Sequence, residues 1–136
     1  MQFSGVEYIR GDKLIKGIGT DIIEIERMEK AIEKKNFVNK IFNESELKDE
    51  FGKFPKANSL AGKFSAKEAV SKAIGTGIRG FSLKDIEILK DSLGKPYVIL
   101  RNNAEKIAAE FGEYRISISI SHSRINAIAI AVLEVV

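Results

Sequence analysis

Lys63–Gly77, KFSAKEAVSKAIGTG, decides how the rest of the chain is read. Its apolar residues recur at helical spacing and it runs out into Gly75-Thr76-Gly77, which predicts an amphipathic helix closed by a glycine stop. Upstream, Asn58 or Ser59 can cap it, and the helix is expected over Leu60–Ile74. At about 100° per residue, Leu60, Phe64, Ala66, Ala69, Val70, Ala73 and Ile74 cover one broad side. Ser65, Glu68 and Lys72 share the opposite edge. Lys67 and Ser71 fall inside the apolar arc, which a simple buried helix does not explain.

Outward from this helix, the pattern alternates between helical and extended. Residues 1–13 show no period and suggest a flexible extension or an extra edge strand. Leu14–Gly19 reads as a short strand. Ile22–Lys35 is expected to be a helix, with Ile25, Met28 and Ile32 facing the core and Arg27, Lys30 and Lys34 forming a basic strip. Asn43-Glu44-Ser45-Glu46 suggests a helix start, with Leu47 and Phe51 behind it and Gly52 and Pro55 ending it. Asp85–Lys90 and Tyr97–Leu100 form a hairpin pattern through Asp91–Pro96. Ala104–Phe111 reads as a helix capped by Asn102 or Asn103.

The last segment is the clearest strand pattern. Ile116, Ile118 and Ile120 alternate with Ser117, Ser119 and Ser121, and alanines alternate with Ile128, Ile130 and Val132. His122 is expected in the loop between these strands. Small residues on one face imply close approach by another layer, either a helix or a neighbouring subunit. The fold class that follows is α+β, a small, mostly antiparallel sheet packed with helices.

A length of 136 residues favours one core. With no cysteine, the chain has neither a disulfide nor a thiolate metal site, which suits a reducing compartment. No apolar run approaches the ~20 residues of a membrane helix, and the N-terminus lacks the apolar centre of a signal peptide. A cytoplasmic protein is expected, with no membrane partner. Lysine and arginine total 22 against 19 aspartates and glutamates, a net +3. This suits an anionic partner: nucleic acid, a phosphorylated cofactor or an acidic protein. No zinc spacing, RNA-binding aromatic motif or recognition helix supports nucleic acid.

Asp21 and Glu68 come from distant segments. Two such carboxylates can bind Mg²⁺, whose shell substrate phosphates usually complete. Alternatively, Asp21 caps the following helix and Glu68 pairs with Lys72 on a wet face. Lys72 can meet a phosphate as a point charge, or be a plain surface lysine. Gly75-Thr76-Gly77 can bring backbone N–H groups to a phosphate or simply stop the helix. His122, the only histidine, can orient a substrate, act as a base, bond a phosphate or serve structure alone.

Four motifs, in order, resemble the holo-[acyl-carrier-protein] synthase family. Gly17-Ile18-Gly19-Thr20-Asp21-Ile22 with Glu24-Ile25 and Arg27 is similar to its opening motif. Phe64-Ser65-Ala66-Lys67-Glu68-Ala69 with Lys72–Gly77 is similar to its second. Gly94–Val98 resembles its hairpin, and Ser117–His122 with Ala127 and Ala129 its last strands. The resemblance covers about residues 17–136, which implies a domain over 17–136 preceded by an extension or extra strand over 1–16. It implies transfer of 4′-phosphopantetheine from coenzyme A to a serine of acyl carrier protein, releasing adenosine 3′,5′-bisphosphate. It implies Asp21 and Glu68 as Mg²⁺ ligands and Lys72 at the coenzyme A phosphates; the attacking serine then needs a proton acceptor, for which Glu68 is the candidate, directly or through a metal-bound water. Gly75–Gly77 and His122 would help form the nucleotide pocket. Arg27, with Lys30 and Lys34, would meet the acidic helix of the carrier. A homotrimer with active sites between subunits, working in fatty acid biosynthesis, is also implied. Lys63 stands at a position that is often arginine in the family.

Overall fold

The computed structural model describes residues 14–75 and 80–136. The strands are β1 (Leu14–Glu24), β2 (Ile86–Lys90), β3 (Pro96–Leu100), β4 (Tyr114–His122) and β5 (Asn126–Val135). The helices are α1 (Ile25–Ala31), α2 (Lys35–Ile41), α3 (Ala57–Ile74) and α4 (Asn102–Ala109), with 3₁₀ turns at Glu44–Leu47 and Leu83–Asp85. The expected extension over 1–13 lies outside the described residues, as do Thr76 and Gly77.

Helix α3 is the element around which the rest is arranged. It starts three residues before the expected Leu60, at Ala57. Its N-cap is Lys56, without a side-chain cap bond, rather than Asn58 or Ser59. It ends where the sequence indicates: Gly75 has φ +94°, and its N–H donates to Ser71 O at 3.2 Å. A left-handed residue is costly for anything but glycine.

β1, β5 and β4 form an antiparallel sheet in that order, and β2 and β3 form a separate hairpin. One face of the sheet lies on α3. The contact is close because small residues line it: Ala127, Ala129 and Ala131 are buried there. Gly17 and Gly19 are required by the same approach. A Cβ on Gly17 would fall 1.8 Å from Ala73 O, and one on Gly19 1.8 Å from Ala69 O. The glycines of the first motif therefore serve helix–sheet packing, and the layer that the alanines meet is this helix. Ala69, Val70, Ile86, Ile88, Leu100 and Leu133 fill the main core between α3, the sheet and the hairpin. A second cluster joins α1 and α2 to α3 through Met28, Val38, Phe42 and Leu60. Fully burying each large apolar side chain is worth about 1.5–3 kcal/mol.

Three expectations are corrected. First, the helix expected over Ile22–Lys35 is not continuous. Ile22 and Ile23 pair with Ile128 and Ala127, so the strand runs to Glu24. Helix α1 then covers only Ile25–Ala31, and α2 begins afresh at Lys35. Partnering with β5 and the liking of β-branched residues for strands prevail over the helical period. Met28 is fully buried as expected, with Ile25 and Ile32 packed beside it. Second, the helix from Asn43 is a single 3₁₀ turn held by an Asn43–Glu46 capping box. Phe51 is 79% exposed and lies in a turn closed by Asp49 Oδ1, which accepts from Phe51 N and Lys53 N. Third, His122 is the last residue of β4, paired with Ala127, rather than a loop residue.

Candidate active site

Asp21 sits in β1, two residues beyond Gly19 and on the same face, so it points at α3. It does not cap α1: the cap residue is Glu24. Ser65 of α3 holds it, with Oγ 2.8 Å from Asp21 O and 3.2 Å from Asp21 Oδ2. Lys72 reaches across from α3, donates to Thr20 O at 2.9 Å and lies 3.5 Å from Asp21 Oδ1. Lys72 thus pairs with Asp21, and no ion pair between it and Glu68 occurs among the described residues.

Glu68 faces the same cleft as Asp21, a space of about 190 Å³ also lined by Arg27, Phe37 and Phe64. Phe37 and Phe64 stand 6.2 Å apart and make its apolar wall. Burial pushes the Glu68 carboxyl above the usual glutamate range, and the negative charge of Asp21 pushes it further. Lys72 only partly offsets them. Among the described residues no cluster of three or more His, Cys, Asp or Glu side chains could by itself hold a metal. Two carboxylates crowding one cleft do fit a hard divalent cation that takes its remaining oxygens from water and phosphate.

Arg27 lies on the rim of this cleft. Lys30 is exposed on the same helix, three residues on. Lys34 falls beyond the end of α1 and serves as the N-cap of α2, so the expected basic strip is interrupted.

His122 lines a different space. Two adjoining clefts of about 460 and 340 Å³ share Ser59, Lys63, Lys90 and Gly94. Lys48 opens onto the larger and His122 onto the smaller. His122 Nε2 lies 2.9 Å from Asn58 O. A carbonyl only accepts, so Nε2 carries the proton and Nδ1 remains available. The ring also packs on Gly62, where a Cβ would come within 3.0 Å of Nε2. Burial lowers the Lys63 pKa; Glu46 opposes the shift, and Lys90 adds to it. Ammonium groups crowded in this way suit an anion. Sequence reasoning did not find Lys48, Lys63 and Lys90 as a group, since they come together only when the hairpin folds onto α3.

The structure thus groups Asp21, Glu68, Lys72 and Arg27 on one side of α3, and Lys63, Lys90 and His122 on another. Gly75 is exposed at the helix end.

Residues 17–129 match the model of the 4′-phosphopantetheinyl transferase superfamily. The chain belongs to this superfamily. The holo-[acyl-carrier-protein] synthase of Clostridium acetobutylicum is 54% identical over 123 residues, covering 90% of this chain and 99% of that one. The structure of holo-[acyl-carrier-protein] synthase from Neisseria meningitidis superposes with a TM-score of 0.78 at 35% identity, covering 88% of this chain and 98% of the other. That from Bacillus anthracis, in complex with CoA (3′,5′-ADP), gives 0.70 at 40% identity, covering 90% and 98%. The chain is an enzyme of this transferase family, with its α+β fold. No helix among the described residues is long and apolar enough to cross a membrane.

Proposed function

We propose that this chain transfers 4′-phosphopantetheine from coenzyme A to a serine of apo-acyl carrier protein, with Mg²⁺, in fatty acid biosynthesis in the cytoplasm. The observation that carries this reading is the meeting of Asp21 and Glu68 at one cleft, with Lys72 beside them, in a chain of the transferase family. Asp21 and Glu68 would hold Mg²⁺. When bound, the ion supplies charge neutralisation at the pyrophosphate of coenzyme A.

The chain's own residues do the rest. Ser65 and Lys72 fix the Asp21 carboxylate by the contacts described above. Glu68, raised in basicity by burial and by Asp21, takes the proton of the attacking carrier serine. The serine oxygen then bonds the β-phosphorus, and the bond from that phosphorus to the bridging oxygen breaks. Adenosine 3′,5′-bisphosphate leaves with the bonding electrons. Lys72, 53% exposed, contributes positive charge to the phosphates, and most of the rate gain comes from positioning and charge. Lys63 and Lys90 provide ammonium groups for the nucleotide end, His122 helps to form the same pocket, and Gly75, Thr76 and Gly77 contribute backbone N–H groups. Arg27, on the rim, meets the acidic carrier, and Lys30 and Lys34 add long-range attraction.

A homotrimer belongs to the same reading. The sheet face turned away from α3 carries Ile18 and Ile22, each 61% exposed, together with Ile128 and Ile130. Such a patch suits a partner surface. Ile22 also lines the Asp21–Glu68 cleft, so a second copy seated on this face would border the reaction centre. The alanine face is not available for this role, because α3 covers it.

The test is incubation with apo-acyl carrier protein, coenzyme A and Mg²⁺, followed by the intact mass of the carrier. Gain of one phosphopantetheine, abolished by chelator, is the expected result. An unmodified carrier, shown competent with another transferase, would overturn the reading.

A further inference from the structure

Glu46 and Lys67 are fully buried, ionisable and unused by the chemistry above. Their surroundings leave few gaps. Lys67 Nζ donates to Glu46 Oε1 at 2.8 Å, to Leu83 O at 3.0 Å and to Ile86 O at 2.5 Å. All three ammonium protons are thereby matched. Glu46 Oε1 also accepts from Asn43 N at 2.8 Å and Asn43 Nδ2 at 3.1 Å. Its Oε2 accepts from Ile88 N at 2.7 Å. Its backbone oxygen accepts from Lys63 Nζ at 2.8 Å.

These bonds converge from all three walls of the cationic cleft. The 3₁₀ turn and the residue that follows it supply Ser45 and Lys48, α3 supplies Ser59 and Lys63, and the hairpin supplies Lys90, Gly94 and Tyr97. Glu46 belongs to the first wall, Lys67 to the second and Ile88 to the third. A salt bridge serving only burial needs no such reach: an apolar pair of equal volume would fill the space as well. The backbone contacts to Ile86, Ile88 and Leu83 fix where the hairpin begins, and Lys63 is tethered by the same residue.

We infer that Glu46 is a positioning residue for coenzyme A binding: its carboxylate sets the spacing of the three cleft walls, and with it where its own main-chain oxygen holds the Lys63 ammonium between them. This rests on the reading of the cleft as the nucleotide site. Glu46 touches no reacting atom, so its loss weakens capture of coenzyme A and spares the chemical step.

Glu46→Gln alone strips a buried ammonium of its counter-charge and risks unfolding. The test therefore uses the double variant Glu46→Gln/Lys67→Met, which removes both charges, and Asn43→Ala, which removes one clamp on Oε1. Steady-state transfer to the carrier gives KM for coenzyme A and kcat. Titration with adenosine 3′,5′-bisphosphate gives affinity without turnover. The double variant should raise KM and weaken bisphosphate binding about tenfold, with kcat within about twofold. Asn43→Ala should change them in the same direction, about threefold. KM and affinity at wild-type values in a folded double variant would overturn the inference, as would a fall in kcat with KM unchanged. If the wild-type chain binds neither coenzyme A nor the bisphosphate, the reading of the cleft itself fails, and this inference with it.

Discussion

Two lysine–carboxylate pairs sit on opposite edges of α3, and their difference separates architecture from chemistry. Lys67–Glu46 is 2.8 Å apart with both side chains at 0% exposure. Lys72–Asp21 is 3.5 Å apart, with side chains 53% and 18% exposed. The residue types are the same, and Lys67 is the immediate neighbour of Glu68. In the buried pair every donor and acceptor is engaged by protein, and burial holds the lysine below its ordinary range despite Glu46. In the open pair the carboxylate keeps room for a ligand, and a second carboxylate stands beside it. A charge whose partners are all protein is structural. A charge left short of partners at a cleft is available to a substrate.

The largest expected effect follows from breaking the buried pair. Lys67→Ala leaves the Glu46 carboxylate buried without its ammonium and should cost about 3–5 kcal/mol of stability. Urea unfolding measures this. Lys72→Met, the matching change on the open pair, should cost no more than about 1 kcal/mol. Equal losses at the two sites would erase the distinction drawn between them.

Activity should show the reverse. Glu68→Gln is expected to lower transfer about 10²–10⁴-fold, the range for loss of a general base. The same variant should melt at or slightly above the wild-type temperature. A carboxyl raised by folding costs stability while it is ionised, and the amide removes that cost.

The tight helix–sheet contact gives an intermediate effect. Gly19→Ala pushes a methyl into Ala69 O and should cost about 1–3 kcal/mol. Because β1 carries Asp21, transfer should fall along with stability, which a melt and a rate on one sample will show. At the rim, Arg27→Glu should raise KM for the carrier several-fold and leave KM for coenzyme A near its wild-type value.

The smallest effect concerns acid stability. Burial alone would raise Glu87, but the Ser45 hydroxyl and the Arg101 guanidinium bring it below the usual glutamate range. A lowered carboxyl adds stability at neutral pH that is lost as pH falls through the carboxylate range, below about 4.3. Glu87→Gln should flatten that acid limb in melts taken from neutral pH down through that range, to below about pH 4.

Much of this was readable in the sequence where the signal was local. The glycine stop of α3, the alternation in β4 and β5 and the β2–β3 hairpin all depend on neighbours a few residues apart. The end of β1 was not readable, because Ile22-Ile23-Glu24-Ile25 satisfies a helical period and only pairing with β5 decides it. Lys67 announced itself as a charge in an apolar arc, yet its partner lies 21 residues away, and no local spacing points to Glu46. The site was legible in part for the same reason. Glu68 and Lys72 share a helix edge visible in the sequence, and Asp21 stood out beside the glycines. That Asp21 faces α3 rather than capping α1 follows from the sheet register. The lysines of the second cleft belong to three elements with no common pattern.

The most direct test of the account is the intact mass of apo-acyl carrier protein after incubation with coenzyme A, Mg²⁺ and either the wild-type chain or folded Glu68→Gln. One added phosphopantetheine is expected with the wild type and almost none with the variant in the same time. Equal modification by both would contradict the role given to Glu68, and modification by neither would contradict the transferase reading itself.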